Sequence, residues 1–327
     1  MVGKIAVMGG GSWATAIAKI LLEKNEHIWW YLRRDDRIED FKRLHHNPAY
    51  LTGVHFDVER INFSSDINEV VKSNDTLIFV IPSPYIKSHL KKLKANMREK
   101  MVVTAIKGIV PEESVTVSRY FQRQYNVPEE QVACIGGPSH AEEVAMGKIT
   151  GLIAASFHPR NAIKVRNLLR VPGIMAYASF DTVGVQVCAA AKNVIAVVYG
   201  ALDALSESSP IFGDNTESLV MAAGLNEIQK IGFAMGATYA ETFTSISGAG
   251  DLDVTCKSKY GRNRRFGQDI IRTDMLAQFK DLDDLIANVK KIGYLPEGAV
   301  ACKYVHEIAE KHHLRLTICD GLYRILN

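Results

Sequence analysis

The chain offers little to a disulfide or a metal ion. Its five cysteines (Cys134, Cys188, Cys256, Cys302 and Cys319) are scattered, odd in number and include no Cys-x-x-Cys pair. That distribution speaks for reduced thiols in a cytoplasmic protein and against a disulfide frame or a thiolate zinc site. The paired histidines, His45-His46 and His312-His313, are sequence neighbours that would not share a helix face, so no metal site is expected. Charge of one sign is scarce as well: 39 Lys and Arg against 36 Asp and Glu leave a formal net charge of +3. No global field draws such a chain to nucleic acid or to a membrane surface. The first apolar run is short and lacks a basic flank and cleavage site, so no secretory signal is expected. One long apolar run does occur, from Val183 to Leu202, but Lys192 interrupts its centre, where lipid makes a charge costly. Gln186 and Asn193 add polarity there. A buried core helix is expected, not a membrane span.

What is present begins at the N-terminus. The run Lys4-Ile5-Ala6-Val7-Met8 breaks into Gly9-Gly10-Gly11 and restarts as Ser12-Trp13-Ala14-Thr15-Ala16, helix-forming through Leu22. A strand, a Gly-rich turn and a helix are what a dinucleotide needs. Gly9 and Gly11 permit a tight turn and close backbone approach, and the N–H groups of the new helix meet the pyrophosphate charge. Ala14 stands where a third glycine often sits for helix–strand packing. A second strand from His27 to Leu32 ends in Arg33-Arg34-Asp35, about 20 residues past the glycines, where the adenosine ribose is met. Arginine there accommodates a 2′-phosphate, so Arg33 and Arg34 lean the cofactor toward NADPH over NADH, while Asp35 leaves NAD open. A solvated charge cluster is the competing reading.

Strand-like runs at Thr76–Ile81, Met101–Ile106, Val132–Ile135, Leu152–Phe157 and Ile174–Ala178 alternate with helical patterns, one of them from Ser114 to Tyr125. This alternation implies a largely parallel, covered sheet. Ligands bind beyond the carboxyl ends of such strands, which places Lys107 beside one. Gly137 and Ser139 open another helix, with Ser139 and Glu142 spaced as a capping box. Near Asp181 the strands fade and helices take over. The expected division is therefore 1–180, an α/β dinucleotide-binding domain, and 181–327, an all-α domain. Asp214 and Glu217 have capping-box spacing ahead of a long helix to Met235, and the clusters Thr244–Gly250 and Lys257–Gly261 read as loops.

Lys192 lies inside an apolar helix, Ala189-Ala190-Ala191-Lys192-Asn193-Val194-Ile195-Ala196. A lysine there must find a partner, because burial disfavours the charged form, and one held so can exchange a proton with a reacting oxygen. The bland alternative is a lysine whose head snorkels to solvent. Asn193 and the small residues around it favour a pocket wall. Asp251, in Ser247-Gly248-Ala249-Gly250-Asp251, is an acid that pairs with Lys192 if the fold joins them, and otherwise a turn aspartate. Gly261-Arg262-Asn263-Arg264-Arg265 enters a helix with donors suited to a phosphate. Without a wider basic surface or interleaved aromatics it does not read as a nucleic-acid segment.

With these motifs in order, the chain resembles bacterial-type NAD(P)-dependent glycerol-3-phosphate dehydrogenase over nearly its full length. The resemblance rests on Gly-Gly-Gly-Ser-Trp at 9–13, Lys107-Gly108, Gly137-Pro138-Ser139, Ala191 to Ala196, Gly250-Asp251-Leu252 and Arg262-Asn263-Arg264-Arg265-Phe266-Gly267. It implies a Rossmann domain followed by a helical one and a cytoplasmic homodimer. The implied reaction reduces dihydroxyacetone phosphate to sn-glycerol 3-phosphate for phospholipid synthesis. It also implies that Lys192 exchanges the proton, that Lys107 and Asp251 flank the reacting group, and that Arg262 and Asn263 hold the phosphate. Substrate contacts then include Gly137, Ser139 and Gly261, the last where many members carry serine. Cofactor contacts fall on Gly9, Gly11, Ser12, Trp13, Arg33, Arg34, Lys107, Ala141, Arg262, Leu295 and Glu297. Two other readings compete: a dehydrogenase of a β-hydroxy or sugar acid built on the same plan, and a non-catalytic NAD(P) sensor, which would not need Lys107, Lys192 and Asp251 together.

Overall fold

The computed structural model describes residues 3–327. Its strands, in chain order, are β1 Ile5–Met8, β2 Ile28–Tyr31, β3 Ile61–Ser64, β4 Thr76–Phe79, β5 Met101–Thr104, β6 Ile109–Val110, β7 Val115–Thr116, β8 Val132–Gly136, β9 Thr150–Ala155 and β10 Ile174–Ser179. The chain separates into two compact units. One runs to Lys107 and resumes over Val117–Thr182, and the other takes Gly108–Thr116 and Val183–Asn327.

In the first unit eight strands form one sheet in the order β10-β9-β8-β5-β4-β1-β2-β3. The six from β3 to β8 are parallel to one another. Their order is the doubly wound one, reversing between β1 and β4. β9 then pairs antiparallel with β8, and β10 runs parallel to β9. Sequence dictates this layering because β1, β4 and β5 are buried along their whole length and apolar but for Thr76 and Thr104, as suits strands covered on both faces. The helix Ser12–Leu22 buries Ala14, Ala16, Ile17, Ala18, Ile20 and Leu21. β3 has no such signature: Asn62 is exposed and Phe63 half-buried, as suits a short edge strand.

The second unit is helical apart from one hairpin. Its centre is the helix Thr182–Ser206, with Val194, Ile195, Ala196 and Val197 wholly buried. By length and composition that helix could cross a membrane, but 83% of its apolar window is buried inside the protein, so it is a core helix. The helix Arg262–Arg272 crosses it closely. A Cβ on Gly267 would stand 1.9 Å from the Val197 carbonyl oxygen, and one on Gly200 1.9 Å from that of Arg264. The helix Thr317–Leu326 takes its cap from a distant residue: the buried Glu227 carboxylate accepts from the Ile318 and Cys319 amides at 2.7 and 2.9 Å.

Three sequence expectations shift. The stretch 108–116, expected inside the first domain, forms the β6–β7 hairpin and groups with the helical unit. Ile109 joins the helical core and Ser114 donates to Glu307 at 2.7 Å. The helix expected from Ser114 therefore begins at Val117. The helix Asp214–Met235 has Gly213, not Asp214, as its N-cap. Thr216 accepts from the Gly213 amide at 3.4 Å, while Glu217 accepts the Tyr199 hydroxyl at 2.5 Å.

Candidate active site

In the first unit the predicted residues gather at the carboxyl ends of β1, β5 and β8. After β1, Gly9 adopts φ +140°, and a Cβ on it would stand 2.2 Å from the Val80 carbonyl oxygen. Only glycine fits that turn. Gly11 is the N-cap of the helix Ser12–Leu22, and nothing lies within 4 Å of a Cβ built on it. A ligand can therefore approach the backbone where the first helical amides have no intrahelical acceptor. Trp13, in that first turn, has a buried indole Nε1 with no hydrogen-bond partner among the described residues.

Lys107, after β5, stands with its ammonium 5.9 Å from the Trp13 ring centroid and donates to the Gly137 carbonyl and the Ser139 hydroxyl, both at 3.0 Å. Ser139 in turn donates to the Gly137 carbonyl at 2.9 Å. The expected capping box does not form: His140 is the N-cap of the helix that Ala141 opens, because the Ser139 hydroxyl is engaged by Lys107. Beyond β2, Arg34 holds Asp36 through two hydrogen bonds, one of them at 2.9 Å. The charge of Arg33 reaches other groups. Burial chiefly, and Arg33 in part, push the His89 imidazole below its ordinary value.

In the second unit Lys192 does not snorkel. It is 4% exposed, and its ammonium is paired with the Asp251 carboxylate, itself 1% exposed. Asp251 begins the helix Asp251–Lys257 directly after a wide turn over Ile246–Gly250, where the Gly250 amide donates to the Ser245 carbonyl at 3.2 Å. The segment expected as a loop is thus a π-type turn, a form that occurs mostly as single turns and often at functional sites. Ser245 and Ser247 fasten it by donating to the Thr242 carbonyl at 2.8 and 3.1 Å. Beside the pair, burial pushes the Cys256 thiol up to about 12 against the opposing charge of Lys192, so it stays protonated.

Gly261 is the N-cap of the helix Arg262–Arg272 and the expected phosphate donors open it. Asn263 is buried and donates to the Asn193 side-chain oxygen at 2.9 Å, while its own oxygen accepts from the Gly298 amide at 2.8 Å. One amide N–H is left over. Asn193, which sequence marks only as a pocket wall, is therefore what orients Asn263. Arg262 is exposed and reaches Glu297 at 3.4 Å, and Leu295 packs half-buried on the helical core.

The description NAD-dependent glycerol-3-phosphate dehydrogenase N-terminus matches residues 4–162, and the C-terminus of the same family matches 181–327. The chain belongs to this family. It is 48% identical over 337 residues to the NAD(P)+ glycerol-3-phosphate dehydrogenase of Treponema denticola, covering 99% of this chain and 94% of the relative. For the enzyme of that name from Treponema pallidum (strain Nichols) the identity is 43%, covering 99% and 95%. A solved structure of glycerol-3-phosphate dehydrogenase from Coxiella burnetii superposes with a TM-score of 0.84 at 26% identity, covering 100% and 95%.

The nicotinamide dinucleotide of this dehydrogenase family fits the first unit on two observations. The open flank at Gly11 admits a pyrophosphate to the helix N-terminus, and the unpartnered Trp13 indole awaits an acceptor.

Proposed function

We propose that this chain reduces dihydroxyacetone phosphate to sn-glycerol 3-phosphate with NADH or NADPH, in the cytoplasm and as a homodimer, feeding glycerophospholipid synthesis. The observation that carries the reading is the buried Lys192–Asp251 pair on the helical unit of a chain from this family. When bound, the nicotinamide supplies the hydride. Lys192 supplies the proton: its ammonium donates to the ketone oxygen as charge gathers there, and its neutral amine takes the proton back in the reverse direction. Asp251 balances the ammonium charge and holds it in one direction. Arg262, the free Asn263 N–H and the backbone at Gly261 hold the phosphate at the start of their helix. Lys107, Gly137 and Ser139 form a polar group that steadies the reacting end of the substrate.

Cofactor contacts fall on Gly9, Gly11, Ser12, Trp13, Lys107 and Ala141 in the first unit and on Arg262, Leu295 and Glu297 in the second. NADPH is favoured, and Arg33 is its main determinant because the Arg34 guanidinium is engaged by Asp36. Five free and buried cysteines support a reducing compartment.

The test is to follow NADH and NADPH oxidation with dihydroxyacetone phosphate and then with unphosphorylated dihydroxyacetone. The expected result is turnover of the ester with both cofactors, and a kcat/KM at least about a hundredfold lower without the phosphate. No turnover of the ester with either cofactor would sink the reading. Equal turnover of both ketones would remove the phosphate anchor and leave the β-hydroxy or sugar-acid alternative.

A further inference from the structure

Three successive carbonyls in the turn after β1 each accept from a side chain, the first two from distant residues and the third from the helix that follows. The Gly9 carbonyl accepts from the Trp30 indole at 2.7 Å, and the Gly10 carbonyl from the Asn47 side-chain amide at 3.1 Å. The Gly11 carbonyl accepts from both the hydroxyl and the backbone amide of Thr15, each at 3.0 Å. Asn47 joins these ties, because its amide also donates to the Thr15 oxygen at 2.9 Å. Its own oxygen accepts from the Ala49 and Tyr50 amides at 3.0 and 3.2 Å. Both donors and both acceptor positions of Asn47 are thus used, which fixes its orientation and leaves it 4% exposed.

In a trans peptide the carbonyl of one residue and the N–H of the next point in opposite directions, and no peptide bond among the described residues is cis. Holding the carbonyls of Gly9, Gly10 and Gly11 inward therefore aims the N–H groups of Gly10, Gly11 and Ser12 outward. They emerge at the helix N-terminus, beside the flank that Gly11 leaves open. A turn released from these ties is free to rotate a carbonyl toward an incoming anion, where it repels.

We infer that Asn47 is a positioning residue of the dinucleotide site: it acts through the Gly10 peptide to present the turn's amides to the pyrophosphate. The inference rests on the proposed dinucleotide-dependent reading. Asn47→Asp separates the two ends of the side chain. It keeps an oxygen for Ala49 and Tyr50 but replaces the donor facing Gly10 and Thr15 with a second acceptor.

Calorimetric titration with NADH on the wild-type and variant proteins tests it, alongside steady-state kinetics and melting temperature. If the wild type binds no NADH, the functional reading fails and the inference falls with it. If the wild type binds, the expected variant has an NADH Kd and KM raised roughly tenfold or more, with kcat at saturating NADH and the KM for dihydroxyacetone phosphate retained. An unchanged NADH Kd overturns the inference. So does a joint fall of kcat and melting temperature with Kd unaltered, which marks a merely structural residue. Should Asn47→Asp not fold, Thr15→Val, which removes the hydroxyl that Asn47 donates to while the Thr15 amide still holds the Gly11 carbonyl, decides by the same titration: a several-fold weaker NADH Kd supports the inference and an unchanged one overturns it.

Discussion

In the first unit the elements offered to a ligand are mostly peptide groups. The turn after β1 presents amides, and its side chains are absent or small up to Ser12. In the second unit they are side chains held by other side chains: Lys192 by Asp251, and Asn263 by Asn193. The difference predicts opposite sensitivities. A backbone site tolerates changes of residue type only where a Cβ has room and the turn keeps its shape, as at Gly11 and not at Gly9. A site of paired buried side chains tolerates neither member's loss, because the survivor is left with an uncompensated charge or an unsatisfied polar atom.

The harshest way to probe that contrast is Lys192→Met, which keeps most of the apolar stem and deletes the ammonium. We expect kcat to fall by roughly 10²–10⁴-fold, the share that a positioned acid–base group supplies. NADH affinity should stay within about twofold, since the turn after β1 belongs to the other unit. Stability should also drop, by about 3–5 kcal/mol, because Asp251 remains buried without its counter-ion. Titration, turnover and a denaturant melt separate the three effects. Retained turnover in the folded variant would take the proton-transfer role from Lys192.

Arg262→Ala is the milder counterpart. More than half of this side chain is exposed and its contact to Glu297 is long, at 3.4 Å, so the variant should melt almost as the wild type does. Its expected loss is in substrate capture, from a charge-assisted contact of about 1.5–3 kcal/mol, which raises the KM for dihydroxyacetone phosphate roughly tenfold to a hundredfold. If that KM holds while NADPH binding weakens, Arg262 serves the cofactor alone and the phosphate rests on Asn263 and the helix backbone.

How much of this could be read from sequence follows the same contrast. β1 and the glycine turn are legible because an apolar run, three glycines and a helix pattern lie together within twenty residues or so of chain. The edge strand β3 and the hairpin at 109–116 are not, because two- to four-residue strands leave no periodicity to see. Lys192 announces itself, since an ammonium in an apolar helix is costly without a partner. The identity of that partner, 59 residues on, does not follow from local pattern. The Ile246–Gly250 stretch reads as a loop because serine and glycine lower helix propensity, and local side-chain bonds from Ser245 and Ser247 to the Thr242 carbonyl, which no helix or strand period signals, fasten it. By residue type alone, Asn47-Pro48 is an ordinary turn dipeptide. Its turn is real, but the donor end of the side chain works on a glycine 37 residues earlier.

Cofactor choice is where side-chain recognition enters the backbone-dominated unit, and it gives the smallest predicted effect. Arg33 and Arg34 look equivalent in sequence, yet Arg34 is drawn to Asp36 while the charge of Arg33 is felt at His89 and Tyr31. Arg33 stands two residues past the end of β2, the strand end at which a doubly wound sheet meets the adenosine ribose of a dinucleotide. Arg33→Ala should therefore raise the KM for NADPH by up to roughly tenfold, the worth of one exposed charge-assisted contact, and leave that for NADH within about twofold. Arg34→Ala should shift both by less, because its guanidinium is already neutralised by a neighbour. Comparing KM ratios for the two cofactors across these variants reads out the difference directly. Equal ratios for Arg33→Ala and the wild type would mean that Arg33 does not read the 2′-phosphate, leaving cofactor choice without its side-chain determinant in the first unit.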